Sequence, residues 1–333
     1  MPALRAIDVH AHILTEETMG ILHRETPKFR TQLRDIDGDF ATLDMGRISY
    51  PKFPRGGWDL ERRFADLDKA KFDMQVLTVL PQTVAYDEEP ALGLTLSQIQ
   101  NEQIAALVNK YPERFLGLAT VPMQAPEDAA VELKRAMTKL GLRGMMIGSN
   151  VAGRNFDDPG LQPVWTMAEE LEAFIFIHPT TTAGGDRLKD YYLRNFIGNP
   201  LDTTIAAASL VFGGVLHRHP RLRIFLSHGG GFIPYQKHRF IHGWGERDEP
   251  QVTLKVSPEA SLDLFLFDTI LHGRKPLEFL IAEAGADRVL LGSDYPYDMG
   301  QYDGVDLISS LDISEGDKAK ILLGNAKRLL KID

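Results

Sequence analysis

The sequence predicts an α/β fold, a (β/α)8 TIM barrel with a long insertion after strand one. Three observations carry this expectation. Eight short, β-rich apolar runs end in polar residues or glycine, amphipathic stretches lie between most of them, and no G-x-G-x-x-G follows any run. Near-continuous apolar strands alternating with helices imply a parallel sheet covered by helices, and eight of them imply closure into a barrel. A doubly wound open sheet is the alternative, but its glycine fingerprint is missing.

The strands are expected at Ala6–His12, Met74–Pro81, Phe115–Met123, Leu142–Ile147, Ala173–Pro179, Leu222–His228, Leu264–Thr269 and Val289–Tyr295. Each is a short apolar run bounded by turn-forming or polar residues. Amphipathic helical stretches are expected at Asp59–Lys71, Ser97–Tyr111, Pro126–Leu140, Gln162–Leu171, Thr204–His217 and Pro276–Glu283. The segment from about Leu14 to Trp58 is rich in Arg, Asp, Gly and Pro and reads as one long irregular insertion. Loops of that length are functional or disordered. Residues 1–333 are expected to form a single barrel domain, with the insertion at about 14–58.

Composition narrows the function classes. The 44% hydrophobic and 25% charged content is that of a soluble globular protein, and no apolar stretch is long enough to cross a bilayer. A net charge of −9 argues against nucleic-acid binding, which needs a basic face. No basic segment followed by an apolar one opens the sequence, so a cytoplasmic address is expected. With no cysteine, a bound metal must use His, carboxylate and water, which favours a catalytic site over a structural one.

Barrel active sites lie at the C-terminal ends of the strands. In a strand, alternate residues share a side, so His10 and His12 project together at the end of strand one. His178 ends strand five, His228 ends strand six and Asp294 ends strand eight. The other six of the ten histidines fall in loops or helices. Four histidines and a carboxylate converging on one barrel mouth are the pattern of a metal-assisted enzyme. For Asp294 a turn bonded to nearby backbone amides is the alternative. Gly229-Gly230-Gly231 reads as a place where backbone comes close to a ligand, against a merely flexible loop. Asp268, ending strand seven, reads equally as a partner of the metal site or as a cap for the next segment of chain.

His-x-His after strand one, His after strands five and six, and Asp after strand eight together resemble the amidohydrolase superfamily. Ile7-Asp-Val-His-Ala-His12, Phe115-Leu-Gly-Leu-Ala-Thr-Val-Pro-Met-Gln-Ala-Pro126, Ser227-His-Gly-Gly-Gly-Phe232 and Leu291-Gly-Ser-Asp-Tyr-Pro296 are similar to one branch. That branch contains α-amino-β-carboxymuconate-ε-semialdehyde decarboxylase and γ-resorcylate decarboxylase, and the resemblance runs from Ile7 to about Leu330. It implies that His10, His12, His178 and Asp294 ligate one divalent ion, with His228 as the nearby acid/base and Asp294 beside it in the catalytic pair. Binuclear relatives carry a bridging carboxylate or carbamylated Lys at the end of strand four, where this chain reads Gly144-Met-Met-Ile-Gly148, so a second ion is not expected. Three imidazoles and one carboxylate suit Zn²⁺, and Mn²⁺ is compatible.

The resemblance further implies a small carboxylate substrate, a homodimer, and Arg239 as a substrate-carboxylate arginine that reaches across the dimer interface. The family's first-loop arginine is missing: the matching stretch places Pro51 there, and Arg47, Lys52 or Arg55 are the candidates to supply the charge. The aromatic residue expected after the strand-five His-Pro is also replaced, since the chain reads His178-Pro-Thr-Thr-Thr182. The expected activity is a metal-dependent, non-oxidative decarboxylase of an unsaturated or aromatic acid such as a ring-cleavage product. The alternative is a hydrolase or hydratase on the same barrel, because the same ligands serve metal-bound hydroxide. A non-catalytic metal-binding protein is disfavoured, since His228 is spare beside four sufficient ligands.

Overall fold

Eight parallel strands run in chain order around the molecule in this computed structural model, which describes residues 4–332. They are β1 (Ile7–His12), β2 (Met74–Thr78), β3 (Phe115–Gly117), β4 (Gly144–Ile147), β5 (Phe174–Ile177), β6 (Arg223–Leu226), β7 (Leu266–Asp268) and β8 (Val289–Leu290). All their residues are buried except Arg223, so each reads as a continuous apolar run rather than an alternating one. β1 to β3 form one parallel sheet and β4 to β8 another. The two sheets meet at two seams. Ala119 bridges Met145 beyond the end of β3, and Ala11 bridges Tyr295 beyond the end of β8. The second seam is tightened where His12 N–H donates to Tyr295 O at 2.7 Å and Asp294 N–H donates to His10 O at 2.8 Å.

The strands are shorter than the apolar runs suggested, most of all β3 and β8. Past Gly117 and Leu290 the chain stays buried but leaves regular pairing, and this frees it to aim side chains across the barrel mouth. Asp294 itself has a φ of 60°.

The helices follow the expected order with shifted ends. Leu60–Ala70 is capped by the Asp59 carboxylate, which accepts from Arg62 N–H, and it stops at left-handed Lys71. The expected Thr204–His217 helix is two helices, Asn199–Phe212 and Val215–Arg218, because Gly214 adopts a φ of 70° between them. Ile233–Glu246, after β6, is a helix that periodicity did not single out.

The insertion is ordered rather than irregular. Helix Glu16–Glu25 is followed by an antiparallel sheet of Thr31–Asp37, Phe40–Met45 and Ile48–Pro54. Gly46-Arg47 makes the second tight turn, with Met45 paired to Ile48 and Gly46 at a φ of 53°. Sparse apolar residues suffice because they converge: Leu22, Leu43, Met45, Phe53, Trp58 and Leu96 belong to a second core beside the barrel. A neighbouring wall, and not the segment's own composition, holds it.

Candidate metal centre

The ends of β1, β5 and β8 bring His10, His12, His178 and Asp294 together, with four candidate ligand atoms within 4.8 Å of one another. Asp294 Oδ1 lies 3.2 Å from His10 Nε2, 3.2 Å from His12 Nε2 and 3.8 Å from His178 Nε2. All four residues are buried.

The outer nitrogens decide which way the rings face. His12 Nδ1 donates to Val79 O at 2.9 Å and His178 Nδ1 to Pro179 O at 3.0 Å, and a carbonyl can only accept. His10 Nδ1 donates to Asp268 Oδ2 at 2.7 Å. In the neutral ring each Nε2 is therefore the nitrogen left with a lone pair facing inward. The three Nε2 atoms and Asp294 Oδ1 are buried with no hydrogen-bond partner. Unpartnered buried lone pairs are costly, and a cation at their centre would satisfy all four.

Burial opposes charge on the imidazoles, pushing His12 below the ordinary histidine value and His178 well below it. At His10, burial is outweighed by the charges of Asp294 and Asp268, which lift the ring to about 9. Burial also works against ionised Asp294, but His10 above all holds it well below the usual carboxylate range.

Asp268 is a partner of the site and a cap at once. Besides His10 it accepts from the backbone N–H groups of His228, Gly229 and Ile270 at 2.7 to 3.1 Å. His228 has a φ of 54°, and its Nε2 lies 3.3 Å from Asp294 Oδ2, the oxygen turned away from the other histidines. His228 and Asp294 are thus both in the left-handed region, where strain of this kind marks functional sites. Gly229-Gly230-Gly231 is required by its protein neighbours. All three have positive φ, and a Cβ would strike Leu271 at Gly229, Phe267 at Gly230 and Pro200 O at Gly231.

A cavity of about 480 Å³ opens onto His178, His228 and Asp294. Tyr50, Tyr192 and Tyr297 line it, their phenols raised by burial and so kept protonated. Lys189 and Arg194 are its cationic lining residues, and sequence reasoning missed both because the segment after β5 carries no periodic signal. Arg47 lies 3.3 Å from Glu88 and lines an adjoining cavity that shares Pro81, Gln82 and Thr180. Lys52 does not reach either cavity: it is exposed on the edge strand Ile48–Pro54. Arg239 is exposed on helix Ile233–Glu246 and lines neither cavity within this chain.

Comparison with known proteins gives this geometry a family, because a model described as Amidohydrolase matches residues 7–332. The chain belongs to the amidohydrolase family. It is 39% identical over 329 residues to 2-amino-3-carboxymuconate-6-semialdehyde decarboxylase of Dictyostelium discoideum, covering 98% of this chain and 92% of that protein. Among solved structures, 5-carboxyvanillate decarboxylase from Sphingomonas paucimobilis superposes with a TM-score of 0.84 at 26% identity, covering 99% of this chain and 100% of that one. A dihydroxybenzoic acid decarboxylase from Polaromonas sp., solved with bound manganese and the inhibitor 2-nitroresorcinol, has a TM-score of 0.79 at 25% identity over 99% and 98% of the two chains. The chain thus lies in the expected decarboxylase branch of the family, and its His-His-His-Asp group is one that could hold a single divalent ion.

Proposed function

We propose that this chain is a metal-dependent, non-oxidative decarboxylase of an unsaturated or aromatic carboxylic acid, such as a carboxymuconate semialdehyde-like ring-cleavage product. The observation that carries the reading is the pairing of four inward, unpartnered ligand atoms with a fifth residue, His228, 3.3 Å from the free oxygen of Asp294. His10, His12, His178 and Asp294 would hold the ion, which supplies Lewis acidity for a substrate oxygen.

The chain's own residues do the rest. Replacing a carboxylate by hydrogen consumes one proton and releases CO₂, so a proton must reach the carbon that loses the carboxylate. His228 lines the cavity, which suits it to deliver the proton, and the ionised carboxylate of Asp294, 3.3 Å away, orients its ring. The protonated phenol of Tyr50 can donate to a substrate oxygen, whereas the Tyr297 hydroxyl donates to Gln82 Oε1 at 2.7 Å and offers the cavity its ring.

For the ion we read Zn²⁺ first, from the three nitrogen donors and one oxygen, with Mn²⁺ the second to test because of the manganese in the dihydroxybenzoic acid decarboxylase. We read residues 1–333 as one working barrel domain, in the cytoplasm, and as half of a homodimer. The dimer is supported by exposed Phe232 and Tyr235, which share a helix face with Arg239 at spacings of three and four. On that arrangement Arg239 would serve a second copy's cavity, and Arg47 would serve the adjoining one.

The experiment is incubation of the metal-loaded enzyme with carboxyl-labelled aromatic and unsaturated acids in ¹⁸O water. Labelled CO₂ with no ¹⁸O in the organic product is expected; ¹⁸O in that product with no CO₂ would make the enzyme a hydrolase or hydratase.

A further inference from the structure

Two cations in the cavity are not used by the proton chemistry. Lys189 and Arg194 lie between β5 and the helix that starts at Asn199, both exposed into the opening. Neither pairs with a carboxylate among the described residues, although Asp298 lines the same cavity. Arg47, by contrast, is engaged with Glu88. Lys189 and Arg194 are the cavity's lysine and arginine, and they face space that also contains the carboxylates of Asp294 and Asp298.

The backbone between them is strained. Tyr191 and Tyr192 have φ angles of 56° and 60°, two successive bulky residues in the left-handed region. Such strain persists only where surrounding structure enforces it, and it gathers at ligand clamps. Tyr192, between the two cations in sequence, lines the cavity with them.

Decarboxylation turns a charged carboxylate into neutral CO₂. A cation gripping that carboxylate would stabilise the ground state more than the transition state and so slow the step. Cations help on a group that stays charged throughout. With two aspartates in the cavity, an anion there would also be repelled unless cations faced it. We infer that Lys189 and Arg194 form a subsite for a second carboxylate on the substrate, across its planar unsaturated frame from the carboxylate that leaves. This rests on the decarboxylase reading and narrows its substrate class to dicarboxylates.

The test is calorimetric titration of the metal-loaded enzyme with isophthalate and with benzoate, which differ by one carboxylate. The wild type is expected to prefer isophthalate by about 100-fold, as for two charge-assisted hydrogen-bonded contacts worth about tenfold each. Arg194→Ala and Lys189→Ala should each weaken isophthalate binding about tenfold, the double variant should lose the preference, and Arg194→Lys should keep most of it. Benzoate affinity should change by less than about twofold, which separates a lost subsite from a damaged fold. No preference in the wild type, or a preference kept by the double variant, would overturn the inference. The two readings fail separately: isophthalate preference without CO₂ release from any acid removes the decarboxylase, whereas CO₂ release without the preference removes the subsite.

Discussion

His10 Nδ1 lies 2.7 Å from Asp268 Oδ2, and the same carboxylate accepts the backbone N–H of His228 at 2.8 Å. One buried side chain on β7 therefore orients a metal-site ring and starts the turn that carries the acid/base candidate. Asp268→Asn replaces one acceptor oxygen with a donor, so His10 loses the partner that turns its Nε2 inward. Metal affinity is expected to fall about 10- to 100-fold. Competition titration with a chromophoric chelator checks it, and an unchanged affinity would detach Asp268 from the metal site.

Purified protein is expected to hold about one divalent ion per chain, and His178→Ala to lose it, since one of only four protein donors is removed. Elemental analysis after gel filtration gives the ratio. Two tightly held ions, or full retention by the variant, would contradict the single-ion assignment.

His228→Ala should keep its ion yet lose about 10²- to 10⁴-fold in turnover, the usual contribution of a general acid or base. Its Nε2 faces Asp294 Oδ2 rather than the inward-facing Oδ1, which is why metal and proton roles separate. Loss of the ion in this variant would instead make His228 a ligand.

Metal loading should release a proton. His10 is lifted to about 9, so below that pH the metal-free site holds a proton on a ring that the ion needs unprotonated. Affinity should rise roughly tenfold per pH unit through neutral pH and level off above about pH 9, because the competing proton is gone there. Chelator competition across pH 6 to 10 measures the slope; an affinity flat over that range would show that His10 is already neutral.

Arg63 is fully buried with no carboxylate partner among the described residues. It donates to the carbonyls of Gly56 and His12 and, at 2.8 Å, to Gln75 Oε1, and it lies 4.6 Å from the Tyr295 ring centre. Gln75 passes the link to Asp8 at 2.8 Å, and Asp8 accepts from Ser293 Oγ at 2.5 Å, next to Asp294. Arg63→Met strips donors from buried acceptors on β1 and β2. A loss of about 2 to 4 kcal/mol in unfolding free energy is expected, read by urea denaturation. A loss below 1 kcal/mol, on the order of an ordinary surface substitution, would show that the link is dispensable.

The sequence by itself determined the barrel and the five residues at its mouth. Strand-length apolar runs report burial, chain order in a parallel barrel puts every strand end on one face, and His10, His12, His178, His228 and Asp294 all sit at such ends. Tertiary structure alone decided what orients them and what surrounds them. His10 and Asp268 are 258 positions apart, so no local pattern could show that this one carboxylate holds both His10 and His228. The glycines after His228 looked like room for a ligand, yet Leu271, Phe267 and Pro200 occupy that space. The insertion looked irregular because its apolar residues are sparse, and it orders against Leu80, Leu96 and Tyr297 from elsewhere in the chain. The cavity cations came from the aperiodic segment after β5 rather than from Lys52, because periodicity registers which faces are buried, while a substrate pocket is made by exposed side chains that meet only once the chain has folded.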